Sequence, residues 1–203
     1  KRLVDAGEEE IILLTPEQYN FTAEKKLLTM LGESRINCVE NLSFSRLSNL
    51  ISNKYGGEML PVLSKGAKAV LMKKAIASVA DDLTVFTQKT EYSSFINSVI
   101  KIYDEMKSCS ISAEDMLSAC DSIEKEVLAG KLHDFGLIFE SYQKLIEGKY
   151  YDTADELSRL YEKLVKSDYL KDKYIFIDGF NGFVANEIKL LELIIKQAKT
   201  VTV

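Results

Sequence analysis

The chain has 203 residues, of which 46% are hydrophobic and 28% are charged, and its formal net charge is −5. This length suffices for one large or two small domains with a hydrophobic core, and the composition is ordinary for a globular protein. The negative net charge gives no overall indication of nucleic-acid binding, although a local basic groove remains compatible with it. No apolar run approaches the ~20 residues of a membrane helix, so we expect no membrane partner.

The termini and the cysteines give two further expectations. Residues 1–7 have the pattern of a helix that closes on Gly7, and residues 199–203 have the pattern of part of a strand, so we expect a fragment of a larger protein. Cys38, Cys109 and Cys120 are odd in number and widely spaced. They fit neither a disulfide framework nor a zinc site, which favours small buried side chains in a reducing, cytoplasmic setting.

The first sixty residues predict alternating strands and helices. The apolar run at residues 11–14 predicts a buried strand that ends at Pro16, and residues 36–42 predict a second strand. A helix is predicted between them, with an apolar stripe at Phe21, Leu27, Leu28 and Leu31 and an end at Gly32. A turn at residues 43–46 and a helix ending near Gly56 and Gly57 complete the pattern of a parallel α/β sheet.

The middle of the chain predicts helices and no convincing strand. Apolar stripes between about residues 64 and 166 predict five helices, of which the third is capped by Ser112 and the fifth by Asp152 or Thr153. Residues 83–86 are the only strand candidate there, and we do not favour it. A strand at 174–177, a helix at about 185–198 and a strand at 201–203 follow.

The strand predicted at residues 174–177 leads directly into Asp178. A carboxylate at the carboxyl end of a buried parallel strand is where nucleotide-binding proteins orient magnesium. The next residue is Gly179, where an active ATPase of this type carries a glutamate that positions the attacking water. Asp178 is therefore predicted to be a remnant of a nucleotide site. The alternative is a structural role, in which Asp178 caps the turn at residues 179–182.

Three segments resemble the N-terminal region of the AddB family, which is related to RexB. They are residues 15–24 (TPEQYNFTAE), 39–47 (VENLSFSRL) and 175–183 (IFIDGFNGF), and residues 131–142 and 150–152 are similar to the family as well. AddB is the second of the two subunits of the bacterial AddAB helicase–nuclease. The resemblance covers essentially the whole chain in the right order.

The resemblance implies a UvrD-like superfamily 1 helicase domain. Its fold class is α/β: a truncated, RecA-like parallel sheet of the P-loop NTPase type, interrupted by an all-helical insert subdomain. We accordingly predict that residues 1–60 form the first part of the RecA-like domain without its P-loop strand. Residues 61–170 are predicted to form the insert, and residues 171–203 the second part, with a Walker-B-like strand and the helix after it.

The family's role implies a function without catalysis in this chain. AddB resembles a helicase that has lost its motor activity and that supports DNA handling, including Chi recognition, while its partner AddA supplies the motor. The family's magnesium, ATP and iron–sulfur cluster are expected outside this fragment, for which we predict no cofactor. The expected partners are DNA, as a single strand or a duplex end, and an AddA-like helicase–nuclease.

Two segments are candidate DNA contacts by this resemblance. Ser43, Phe44 and Arg46 follow a strand end that contacts single-stranded DNA in related helicases, where Phe44 would stack on a base and Arg46 would bind phosphate. The alternative has Phe44 buried and Arg46 solvated or paired with an acid.

Thr15, Gln18 and Tyr19 follow the preceding strand, and Gln18 and Tyr19 are candidate donors to the DNA backbone. The alternative has Thr15 or Glu17 capping the next helix and Tyr19 packed.

Other candidates are weaker. His133 has no second histidine or nucleophile partner and is predicted on a helix surface. The lysines at 65, 68, 73 and 74 can lie along a phosphate backbone or form an ordinary solvated face. Two rival functions remain open: an active ATPase whose phosphate-binding loop lies outside the sequence, and a protein-interaction scaffold that never contacts DNA.

Overall fold

The computed structural model describes residues 1–56, 60–87 and 92–203. Gly57, the end of one predicted helix, lies outside them. In these ranges the helices are α1 Arg2–Asp5, α2 Asn20–Leu31, α3 Phe44–Tyr55, α4 Lys65–Ser78, α5 Ser93–Ser108, α6 Ala113–Ala119, α7 Glu126–Ile146, α8 Glu156–Val165 and α9 Ala185–Gln197. The strands are β1 Ile11–Leu14, β2 Val39–Leu42, β3 Tyr174–Ile177 and β4 Thr200–Thr202. None of the described helices is long and apolar enough to cross a bilayer.

The chain divides into two compact units. The first consists of Lys1–Gly57 and Glu156–Val203 and carries all four strands, and the second is Glu58–Asp155. The predicted insert of residues 61–170 ends later than this second unit. The difference lies in α8, whose Leu160 and Leu164 are buried in the core of the first unit. The Lys163 ammonium also donates to the Ser52 hydroxyl on α3 at 2.9 Å.

The sheet of the first unit has the order β2-β1-β3-β4, and each described pair of strands is parallel. This confirms the predicted α/β class with a parallel sheet. Leu14 at the end of β1 is in register with Leu42 of β2 and with Ile177 of β3. The carboxyl ends of the three strands therefore lie side by side at one edge of the sheet.

The two faces of the sheet are covered by different helices. Alternate strand residues such as Ile12, Leu14 and Ile175 pack against α3, α8 and α9 in the larger core. Ile11 and Phe176 face the other way, towards α1 and α2. The predicted apolar stripe of α2 is only partly correct: Leu31 is buried, whereas Phe21 is 78% exposed and Leu28 is 41% exposed.

Two element boundaries differ from the prediction. Residues 36–38 form a 3-10 turn, so β2 begins at Val39 rather than at Ile36. The turn predicted at residues 43–46 is the first turn of α3, because the Ser43 side chain accepts a hydrogen bond from the Arg46 N–H at 3.2 Å. The helix ends at Tyr55, followed by Gly56 with φ of 70°.

The second unit is built from α4 to α7, in agreement with the helical character predicted for it. The rings of Phe139 and Tyr142 on α7 pack edge-on against Tyr103 of α5, with centroid separations of 5.1 and 5.0 Å. Its first and last segments are joined. The Leu63 N–H donates to the Tyr151 carbonyl, and the Tyr151 N–H donates to the Pro61 carbonyl, both at 2.9 Å.

A buried ion pair reinforces this junction. The Lys68 ammonium lies 2.7 Å from an Asp152 carboxylate oxygen and 2.6 Å from Asp104, and the Tyr142 hydroxyl donates to Asp152 at 2.9 Å. Lys68 and Asp152 are both buried. The basic row predicted on α4 therefore loses Lys68 as a contact for a phosphate backbone, while Lys73 and Lys74 remain exposed.

The strand candidate at residues 83–86 is a loop held by one carboxylate. Asp134 on α7 accepts hydrogen bonds from the N–H groups of Thr84, Val85 and Phe86 at 2.7 to 3.0 Å. Burial alone would raise the pKa of Asp134, but these donors, with Thr84 Oγ1, bring the pKa below its ordinary value. The adjacent His133 is 42% exposed on the helix, as predicted.

We predict that Asp134→Ala destabilises the second unit by about 2–4 kcal/mol at neutral pH, because three N–H groups lose their charged acceptor. The stabilisation is complete above the ordinary pKa of about 3.9 and is lost as the pH falls through the lower folded-state value. Urea denaturation at pH 7 and at pH 3 measures both effects. A penalty that equals that of the exposed control Glu124→Ala, or that does not shrink in acid, would contradict the prediction.

We also predict that Lys68→Met costs about 3–5 kcal/mol, because the Asp152 carboxylate is left buried without its cation. Lys73→Met, on the exposed face of the same helix, is the matched control and should stay within about 0.5 kcal/mol of the wild type. Adding Asp152→Asn to Lys68→Met should recover part of the loss, as measured by thermal and urea unfolding. Equal effects of the two single variants would show that the ion pair does not hold the junction.

Candidate functional site

A cleft of about 370 Å³ opens at the carboxyl ends of β1, β2 and β3. We call it the strand-end cleft. The parallel register produces it: the Thr15 N–H donates to the Leu42 carbonyl at 2.9 Å, and the Asp178 N–H donates to the Leu14 carbonyl at 3.0 Å. Backbone hydrogen bonds therefore connect the first residues of two of these loops to the ends of the neighbouring strands. The lining of the cleft includes the side chains of Gln18, Ser43, Phe44, Ser45, Phe180 and Asn181.

Thr15 borders this cleft, but its side chain is not exposed. It is completely buried, and its hydroxyl donates to Oδ1 of Asn20 at 2.7 Å, with Oδ1 of Asn41 3.1 Å away. The Asn41 amide in turn donates to the Asn20 carbonyl at 3.0 Å. Thr15 thus joins β1, β2 and α2 from inside. The buried Asn20 Nδ2 has no hydrogen-bond partner in the described part of the chain.

The structure places the predicted contact residues Ser43, Phe44 and Arg46 in different surroundings. Ser43 is buried as the N-cap of α3, and Phe44 is 7% exposed with its ring centroid 5.6 Å from that of Phe180. Arg46 is paired with Glu24 at 2.8 Å and lines a different cleft, of about 810 Å³. Phe44 is thus largely covered by packing, and Arg46 pairs with an acid at the surface.

Phe180 and Asn181 are the residues that the sequence reasoning missed. Phe180 is half-buried between Phe44 and Phe183, whose centroids are 5.6 and 4.9 Å from its own, and Asn181 is exposed beside it. A signal was present in the sequence. An aromatic residue flanked by Gly179 and Gly182 directly after a buried strand indicates a turn that presents a side chain at the sheet edge.

Tyr19 and Asp178 lie away from the strand-end cleft, in a more apolar groove of about 390 Å³ that they share with Lys26. The Lys26 ammonium donates to the Tyr19 hydroxyl and lies 5.0 Å from the centre of its ring. The pKa of Lys26 is raised by this hydrogen bond first, then by the charge interaction with Tyr19, with a smaller contribution from the Asp178 carboxylate.

Few candidate metal ligands surround Asp178 among the described residues. This exposed carboxylate has the Lys26 cation as its electrostatic neighbour. Across the described ranges, no three or more histidine, cysteine, aspartate or glutamate side chains converge in a way that could hold a metal ion. The lone carboxylate that the sequence singled out therefore offers magnesium an incomplete donor set.

Acidic groups border the strand-end cleft. The Glu187 carboxylate is engaged, because it accepts a hydrogen bond from the Val184 N–H at 2.9 Å. Glu17 is exposed. The pKa of Glu156 is raised mainly by burial and further by the negative charge of Glu17, against a hydrogen bond from Ser48 that lowers it. The cleft thus combines polar donors and an aromatic ring with a negative rim.

Comparison with known proteins shows the family to which the sequence belongs. The family model described as "ADDB, N-terminal" matches residues 1–203. The chain belongs to the AddB N-terminal family. The resemblance found in the three motifs is thereby confirmed over the whole length of the sequence.

Curated relatives carry a description of the same kind. Proteins named as the B subunit of an ATP-dependent helicase/deoxyribonuclease are similar to the whole chain in Clostridium acetobutylicum (29% identical) and in Thermoanaerobacter sp. (31% identical). The protein of that name in Clostridioides difficile is 33% identical over 95% of the chain. The chain spans only 17–18% of the length of these relatives.

Proposed function

We propose that this chain is the noncatalytic, helicase-like part of an AddB protein and that it binds single-stranded DNA at the strand-end cleft. One observation supports this most directly. The half-buried Phe180 ring, the exposed Asn181 and Gln18, and the first turn of α3 all line the same cleft. An aromatic platform beside polar donors is the combination by which proteins hold unpaired bases and their phosphates.

Each component has a distinct role in this proposal. Phe180, supported from below by Phe44, offers a ring face to one base. The N–H groups of Phe44 and Ser45 belong to the first turn of α3, where no intrahelical acceptor exists, and they can bind a phosphate oxygen. The Gln18 and Asn181 amides supply further donors. Thr15 and Ser43 act indirectly by holding the loops in place.

The topology supports a RecA-like helicase domain with a helical insert. A parallel sheet in the order β2-β1-β3-β4 carries its ligand edge at the carboxyl ends of the strands, and the helical unit lies in the chain between β2 and β3. We infer that this chain gives the whole protein the helicase architecture without its motor. Gly179 at the position of the catalytic glutamate, and Lys26 beside Asp178, support that inference.

In the whole protein, we propose that ATP hydrolysis belongs to an AddA-like partner. The magnesium, ATP and iron–sulfur cluster of the family would bind outside these 203 residues. The cleft described here would contact the DNA strand that passes from the motor and would contribute to Chi recognition during the resection of double-strand breaks. The cytoplasm is the proposed site of this activity.

We predict that Phe180→Ala weakens binding of a single-stranded oligonucleotide by about 5- to 150-fold, because stacking on an aromatic side chain contributes ~1–3 kcal/mol per base. Fluorescence anisotropy at several salt concentrations measures the effect. The loss should not depend on salt, because the ring carries no charge.

Phe21→Ala is the matched control, since Phe21 is 78% exposed on α2 and does not line the cleft. It should bind like the wild type. An unchanged affinity of folded Phe180→Ala, or equal losses in both variants, would exclude the strand-end cleft as the DNA surface.

We predict that Glu17→Gln strengthens the same binding by about 2- to 5-fold at low salt, because it removes a negative charge at the rim of the cleft. The gain should fade at high salt, where surface charges are screened. Glu162→Gln removes an exposed charge on α8, outside the cleft, and is the control. Equal gains in both variants would indicate a general charge effect in place of a local one.

A further inference from the structure

Tyr19 lies against the backbone of the turn that carries Phe180. It ends the 3-10 turn Glu17–Tyr19, and its N–H donates to the Pro16 carbonyl at 2.9 Å. A Cβ atom built on Gly179 would lie 3.0 Å from Cδ1 and 3.3 Å from Cε1 of the Tyr19 ring. The ring therefore leaves little room for a side chain at position 179.

Lys26 holds the Tyr19 ring through its hydroxyl and its face. It is seven residues, two turns of α2, beyond Tyr19. Its ammonium group donates to the Tyr19 hydroxyl and lies 5.0 Å from the ring centroid. The Asp178 carboxylate adds an electrostatic attraction for the same ammonium group. Tyr19 is thus fixed at its hydroxyl and packed at its ring edge.

We propose that Tyr19 is a positioning residue for the strand-end cleft: its ring, held by Lys26, fixes the turn at Gly179 and so places Phe180. This inference rests on the proposed DNA-binding function. Gly179 has φ of 81°, a conformation that side chains other than glycine rarely adopt. The turn is therefore confined from outside by Tyr19 and from inside by the contact of Phe180 with Phe44.

The rival interpretation is the one made from the sequence, in which the Tyr19 hydroxyl donates directly to the DNA backbone. The two interpretations differ in the atoms that matter. Positioning needs the ring, which the Lys26 ammonium still contacts 5.0 Å from its centroid when the hydroxyl is removed, whereas a backbone contact needs the hydroxyl itself. Tyr19→Phe keeps the ring and removes the hydroxyl, and Tyr19→Ala removes both.

The test is a set of anisotropy titrations of the 203-residue chain with single-stranded oligo-dT over a range of salt. We expect Tyr19→Phe to bind within about twofold of the wild type with the same salt slope, and Tyr19→Ala to lose about 5- to 150-fold, like Phe180→Ala. The double variant Tyr19→Ala/Phe180→Ala should bind no worse than Phe180→Ala alone, because both changes remove the same stacking face.

Three results would overturn the proposal. One is a Tyr19→Phe variant that binds as weakly as Tyr19→Ala, which would show that the hydroxyl and not the ring is needed. Another is a folded Tyr19→Ala that binds normally. The third is additivity of the Tyr19→Ala and Phe180→Ala losses.

Amide hydrogen exchange at Phe180 separates this inference from the proposed function. Faster exchange in Tyr19→Ala than in Tyr19→Phe is expected whether or not DNA binds, because it reports the turn itself. Equal exchange in the two variants overturns the positioning role. A wild-type chain that fails to bind DNA while showing the exchange difference would remove the proposed function and keep the role of Tyr19 in the turn.

Discussion

The site depends on one parallel pairing, that of β1 with β3. It joins two segments from opposite ends of the chain, with Leu14 in register with Ile177. The helical unit lies in the chain between them, so this pairing has to form across a long excursion of the chain. Without it, the Asp178 N–H would not reach the Leu14 carbonyl, and the turn that carries Phe180 would have no place at the sheet edge. The cleft therefore depends first on the strand register and only then on individual side chains.

Some residues of the cleft stabilise the fold, and others remain accessible at its surface. Of the two aromatic residues at its base, Phe44 is buried in the core, whereas Phe180 is only half-buried. Thr15 and Ser43 use their hydroxyl groups to hold loops and a helix N-terminus. A rim that includes Glu17 keeps electrostatic attraction weak. If the cleft binds DNA as proposed, its affinity would depend on shape and stacking more than on charge.

The sequence predicted the architecture better than the site. Continuous apolar runs located β1 and β3, since strands buried on both faces leave little ambiguity. The apolar stripe of α8 predicted a helix, but an amphipathic pattern does not show which core the helix packs against. Arg46 and Lys68 looked like free cations, but their partners Glu24 and Asp152 are distant in sequence. Pairings of that kind arise only in the folded chain, and so does the burial that removes Phe44 from the surface.

The joined ends of the helical unit have an evolutionary consequence. Backbone hydrogen bonds link Pro61 and Leu63 with Tyr151, so the chain enters and leaves the helical unit at neighbouring points. A module closed in this way can be gained, lost or exchanged without forcing the flanking segments apart. We therefore expect changes in the size or sequence of this lobe to cost the interrupted sheet little stability.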